Sequence, residues 1–435
     1  MNTAHLFVNH YQTKLQIDNP FFDVFLVVGL IVLFFSTLRP SFNDDTLSSL
    51  QTNQLKGFAI LLILFNHLCY YTEPLPSLYG IWSEAGMVGV AIFLIFSGYG
   101  LSISMQNKGI KEFFLKRVSR ILIPIVFALG LLLFLKIFLE GAEHNILLEI
   151  PRILFFMHSL DGKTWFIIFI LFWYCLLYLT FKFGLSNQHK LIFLFLVSLA
   201  IVSIPKTLHL ARANAFSFPF GCWMGLNSSF IKGKINKLLQ QKKIILLSCL
   251  LGSVLLSAFL FNASEIFHFS AYSAILSVLI LAVILSISYI LYLSIFRNIK
   301  LNLSPELIAG TLVVSILYLN YLSMVFDLAI EEPFNIYWCI VRNLLNILIT
   351  LILLVLISLM TKFKLYSLFL GFLGNISFEL FLTHNTFLIH FDFILFRGPV
   401  AITWVIYFLL VCSLSLVLKR LSAKTVSALS IAYQN

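Results

Sequence analysis

The segment LKGFAILLILFNHLCYY, residues 55–71, sets two ionisable side chains into an apolar run, Lys56 at its start and His67 near its end. On an α-helix the step between them advances about 1100°, three turns plus roughly 20°, and rises about 16 Å, so both side chains share one face at different depths. Unperturbed imidazole titrates at about 6.5, which suits a group that takes and returns a proton near neutral pH. An ionisable group at this depth in hydrocarbon is costly and is by default a functional candidate, although membrane helices also use His and Asn to hydrogen-bond one another. Asn66, Tyr70 and Tyr71 stand within a turn of His67.

A second constellation lies in residues 86–124, GMVGVAIFLIFSGYGLSISMQNKGIKEFFLKRVSRILIP. An apolar helix passes through Ser97-Gly98 into a basic connection, and Arg117 and Arg120 then enter the next apolar helix on adjoining positions of one face. Arginine forks match phosphate oxygens, so the pair, with Lys116 and Lys56 adding field, suits an anionic ligand; topological anchoring is the plainer reading of a basic loop. Late in the chain Glu379 and His384 fall about 140° apart around a helix and are not a same-face pair. Glu379 is a candidate carboxylate for orienting His67 across the bundle. His384, Trp165 and Arg342 are candidates for an acceptor side, weighed against structural hydrogen bonding, the interfacial aromatic belt and snorkelling respectively. Tyr79 and Trp82 share the aromatic-belt alternative. No pair of His, Cys, Asp or Glu has the helical spacing of a metal site.

The elements that must position these residues are membrane helices. The chain has 435 residues, 60% hydrophobic and 11% charged, with mean hydropathy +0.99, which excludes an ordinary soluble domain. Apolar segments near 21–38, 56–72, 87–104, 119–140, 164–183, 190–204, 215–229, 243–261, 270–296, 306–329, 337–361, 366–390 and 400–420 predict an all-α polytopic bundle of about 11–13 helices. Segments 190–204 and 215–229 are short for full spans and read as tilted, broken or re-entrant. The six cysteines lie in different apolar segments and read as small buried hydrophobes. The N-terminus lacks the basic region and short apolar core of a cleaved signal, so its first apolar segment is expected to remain.

The net charge of +11 points to membrane topology rather than nucleic acid, because its placement alternates. Lys108 to Arg120, Lys182 with Lys190, Lys232 to Lys243, Arg297 with Lys300, Lys362 with Lys364, and Lys419 to Lys424 fall on one side, and the acidic loops on the other. The basic side is therefore expected to be cytoplasmic in a multi-pass plasma-membrane protein, with the C-terminus inside. Residues 1–55 then form an extra transmembrane helix and cytoplasmic connector, 56–420 the main helical domain, and 421–435 a short cytoplasmic tail.

Four motifs in this order carry a resemblance. Lys56 with ten residues before His67, GVAIFLIFSGY from Gly89 to Tyr99, the Arg117 and Arg120 pair followed by Pro124, and GNISFELFLTH from Gly374 to His384 together resemble the signature of the membrane acyltransferase-3 family, over residues 56 to about 390. The resemblance implies transfer of an acyl group, most often acetyl, from cytosolic acyl-coenzyme A to a hydroxyl of an extracytoplasmic polysaccharide or glycolipid. It implies that His67 is the essential residue and that Arg117 and Arg120 handle the donor, with acetyl-coenzyme A as substrate and no permanently bound cofactor. Membrane lipids and the glycan are the implied partners. One departure is Trp165-Phe-Ile-Ile-Phe, where many members carry an acidic residue after the Trp, which leaves the family's carboxylate unassigned.

The chemistry then expected is direct transfer with His67 as general base, an acyl-histidine intermediate being the alternative. A polysaccharide transporter, flippase or polymerase shares the helix count and hydropathy and is the competing class. No internal repeat supports an inverted-repeat transporter.

Overall fold

A computed structural model describes residues 15–16, 29–30, 32–40, 46–70, 72–73, 85–110, 113–140, 164–203, 209–240, 336–390 and 400–434. These residues form an all-α polytopic bundle: α1 (Ser49–Tyr70), α2 (Ala85–Lys108), α3 (Phe113–Glu140), α4 (Thr164–Lys182), α5 (Asn187–Ser203), the single turn α6 (His209–Arg212), α7 (Ser217–Leu226), α8 (Ser228–Gln240), α9 (Ile336–Lys362), α10 (Leu368–Asn375), α11 (Ser377–His390) and α12 (Val400–Gln434). Among the described residues, strand is limited to two small pairs. β1 (Leu15–Gln16) runs parallel to β3 (Thr72–Glu73), and β2 (Leu38–Pro40) antiparallel to β4 (Leu365–Ser367) with Arg39 opposite Tyr366. The apolar segments predicted at 243–261, 270–296 and 306–329 lie outside the described residues, as do Tyr79 and Trp82.

Four of the described helices are long and apolar enough to cross a membrane: Ala85–Lys108, Trp165–Lys182, Arg342–Lys362 and Ile402–Ala428. The helix carrying His67 is not among them. It begins at Ser49, two turns before the expected 56, and those turns, SLQTNQ, are polar. What suits α1 to the hydrophobic interior is its packing. Leu55, Ala59, Ile60, Ile63 and Leu64 are all buried, and α1 lies against α2, α9, α10 and α11.

Small residues set how closely these helices approach. A Cβ on Gly89 would stand 2.6 Å from the Ala59 carbonyl oxygen, and one on Gly225 the same distance from that of Tyr99, while one on Gly57 would run into the Leu370 carbonyl. Such backbone-to-backbone contact is how apolar helices gain van der Waals energy where lipid removes the hydrophobic drive for association. Residue pairing also gives direction. Ala59 meets Gly89 and Asn66 meets Gly86, so α1 and α2 are antiparallel. Asn53 donates to the Gly371 carbonyl (2.9 Å) and His67 meets His384, so α10 packs on the start of α1 and α11 on its end. Gly109 (φ 69°) and Gly184 (φ 63°) end α2 and α4 in left-handed geometry, which glycine adopts without Cβ strain.

Two expected helices are broken. Segment 215–229 divides at Asn227, whose N–H and side-chain amide both bond the Trp223 carbonyl (3.1 and 2.9 Å). α7 therefore has 10 residues, about 15 Å, half the hydrocarbon thickness. Its start is held by protein rather than water. Asn343 accepts from the Phe216 N–H (2.9 Å) and donates to the Arg212 carbonyl (2.7 Å), and Asn346 donates to the Ala213 carbonyl (3.1 Å). This is the condition under which irregular backbone is tolerated at membrane depth. α8 then leaves as an amphipathic helix, with Ile235 and Leu239 buried and Lys234 and Lys237 exposed. Segment 366–390 divides at Ile376, where Gly374 is pressed against the Asn53 carbonyl; Ser367 caps the first piece by accepting from the Leu370 N–H (3.2 Å). The last helix runs past 420 to Gln434.

Lys362, Lys419 and the lysines of α8 gather at one end. Lys362 bonds the Leu239 carbonyl of α8, Asn236 of the same helix meets Thr46 just before α1, and Lys419 bonds Asn375 where α10 ends.

Candidate active site

The basic end of α1 holds the first half of the site. Lys56 is half-buried there, and the Arg117 guanidinium of α3 is near enough for the two charges to interact. Tyr174 of α4, buried, faces Arg117 and is joined side chain to side chain with Ser97 of α2. Arg120 interacts with Arg117 and is exposed. The Lys116 side chain lies outside the described residues. Two cations facing one another are mutually repulsive, and the tyrosine and serine beside them are neutral hydrogen-bonding groups.

The motif residues acquire distinct roles. Ser97 reaches Tyr174. Gly98 lets α7 approach, since a Cβ there would collide with the Phe218 carbonyl and stand 3.0 Å from the Cys222 nitrogen. Tyr99 is buried with its ring edge-on to Phe96. Pro124 lies one turn past Arg120 inside α3 and removes the N–H that would otherwise bond the Arg120 carbonyl.

His67 stands at the other end of the α1 face. Its ring centroid is 4.9 Å from that of His384 on α11, the planes tilted by 55°. His384 is fully buried (0% exposed), with Nδ1 3.1 Å from the Leu380 carbonyl and 3.0 Å from that of Phe381. Its own carbonyl accepts from the Tyr407 hydroxyl of α12 (2.9 Å). Asn66, next to His67, is held against Gly86, where any Cβ would strike the Asn66 amide.

The remaining predicted residues are more distant. Glu379 begins α11, one and a half turns before His384, and interacts with Lys419 of α12. Trp165 contacts Phe166 and Phe169, and Phe166 packs on Phe381, whose ring neighbours His384 (5.9 Å). Arg342 lies in the second turn of α9 beside Asn343, near the polar corner that starts α7. The structure thus joins His67 with His384 and Lys56 with Arg117. Tyr174 was missed by sequence reasoning, because a tyrosine in an aromatic-rich apolar helix carries no local signal.

Residues 51–420 match the family model described as an acyltransferase domain, that of the acyltransferase-3 family. No curated protein and no solved structure matches the chain.

Proposed function

The chain belongs to the acyltransferase-3 family, and from that premise we propose that it moves an acyl group, acetyl in the simplest case, from cytosolic acyl-coenzyme A to a hydroxyl of an extracytoplasmic glycan. One observation carries this reading: Lys56, with Arg117 of α3 beside it, and the His67 imidazole stand at opposite ends of one face of α1, about 16 Å apart along the axis. Coenzyme A has the same polarity, with phosphates at one end of a long flexible arm and the thioester at the other. Arginine and lysine hold the phosphates at the basic end, which the positive-inside rule assigns to the cytoplasm of a plasma-membrane protein with its C-terminus inside.

The reaction follows from the groups in place. A His67 ring nitrogen takes the proton of the acceptor hydroxyl as that oxygen bonds the thioester carbonyl carbon. Collapse of the tetrahedral intermediate breaks the carbon–sulfur bond, and the departing thiolate recovers the proton from the imidazolium. The products are an O-ester and free coenzyme A. The glycan reaches His67 from the side opposite the basic end, and lipids surround the bundle.

The test compares cells producing wild-type protein with cells producing an equally abundant, membrane-inserted His67→Ala variant. Base-labile acyl groups on surface glycan, and coenzyme A released from acetyl-coenzyme A by isolated membranes, are both expected to disappear in the variant. Unchanged acylation would refute the reading. A glycan that reaches the surface in normal amount but unacylated would exclude transport as the main activity.

A further inference from the structure

We propose that His384 is the positioning residue for His67, holding that imidazole in the one tautomer and orientation that leave a ring nitrogen open to the acceptor hydroxyl. The inference rests on the acyl-transfer reading above and concerns a ring that is fully buried, which suits action through His67 better than direct contact with glycan.

The argument starts from what carbonyls can do. The Leu380 and Phe381 oxygens, 3.1 and 3.0 Å from His384 Nδ1, only accept hydrogen bonds, so Nδ1 carries the proton. In a neutral imidazole the other nitrogen, Nε2, is then an acceptor. Both carbonyls belong to the preceding turn of α11, which turns the Nδ1 edge of the ring back along its own helix and leaves the Nε2 edge outward. The backbone beneath is fixed as well. Tyr407 donates to the His384 carbonyl (2.9 Å), and Thr383 shares a hydrogen bond with Ser415 (3.0 Å), so α12 clamps α11 on both sides of this position.

His67 is the ring set against His384, at 4.9 Å between centroids. In this proposal a His67 N–H turns onto the Nε2 acceptor, which leaves the opposite nitrogen of His67 unprotonated, as a base requires. When His67 takes the hydroxyl proton and becomes imidazolium, the same acceptor stabilises the charge. A carboxylate performs this service for histidine in hydrolytic triads; here a second imidazole with one pinned proton takes its place. No carboxylate is then needed at Trp165-Phe-Ile-Ile-Phe, and Glu379 is left to its interaction with Lys419.

The side chains that replace histidine separate the two roles. An asparagine amide overlays Nδ1 and can bond the backbone carbonyls, whereas the glutamine Oε1 overlays Nε2 and restores the acceptor. His384→Gln, His384→Asn and His384→Leu are compared in isolated membranes by coenzyme A release from acetyl-coenzyme A. His384→Gln is expected to keep activity within about threefold of wild type, while Asn and Leu lose about 10- to 100-fold in kcat with KM for acetyl-coenzyme A unchanged. An active Asn variant beside an inactive Gln variant, or an active Leu variant, overturns the inference. Ring-nitrogen NMR shifts of the histidine-labelled wild-type protein decide the matter without any variant: His384 protonated at Nε2 also overturns it. Loss of activity in His67→Ala with full activity in His384→Leu defeats the positioning role alone, whereas an active His67→Ala defeats the acyl-transfer reading beneath it.

Discussion

Lys56 and Arg117, on two helices that are not consecutive in the chain, interact electrostatically at the basic end of the bundle, and the Arg117 guanidinium interacts with Tyr174 in turn. Like charges hold such a position at a cost, which the anionic donor of the proposed reaction would offset. Arg120, three residues on, is exposed, where solvent screens its charge more strongly. The two arginines of one motif are therefore unequal.

Arg117→Ala is expected to raise KM for acetyl-coenzyme A by about tenfold or more, equivalent to about 1.4 kcal/mol, without loss of inserted protein. Arg120→Ala raises it only about two- to threefold. Arg117→Lys recovers part of the loss, because a point charge cannot reproduce a fork. Steady-state kinetics on membranes with matched protein content measure all three.

Gly98 and Gly100 are two residues apart on α2 and give opposite expectations. A methyl at Gly98 meets the Phe218 carbonyl and the Cys222 nitrogen, whereas nothing lies within 4 Å of one at Gly100. Gly98→Ala should cost about 1–3 kcal/mol through displacement of α7. Gly100→Ala should be neutral or slightly stabilising, by up to about 1 kcal/mol, from helix propensity. Thermal unfolding of the detergent-solubilised protein reads the difference.

Gly86 governs the neighbour of the proposed base. Its replacement by alanine drives a Cβ into the Asn66 amide and shifts the turn that carries His67. Misplacement of a reacting group lowers kcat while leaving distant donor contacts intact, so kcat is expected to fall about tenfold with KM for acetyl-coenzyme A preserved. A rise in KM of the same size would place the effect at the donor end instead.

Legibility in the sequence followed the range of the interactions. The Lys56 and His67 face needs only the helical period, and α1 presents it as the spacing implied. Helix ends were less legible. Segment 215–229, short enough to read as tilted, broken or re-entrant, does break at Asn227, whereas Ile376 breaks a segment that hydropathy reads as continuous, because hydropathy averages over residues and a break depends on where single backbone groups find partners. Gly98 stood in a motif, yet its reason lies in the Phe218 carbonyl, which belongs to α7.

Sequence alone determined the solvent, the helical class, the basic end and the shared helical face of Lys56 and His67, since each depends on composition or on neighbours within a few turns. Tertiary structure decided which groups face that residue. It set His384 rather than Glu379 against His67, and Tyr174 with Ser97 beside Arg117. These partners come from helices distant in the chain, and their meeting is set by close-packed glycines and buried asparagine bonds that no local period encodes.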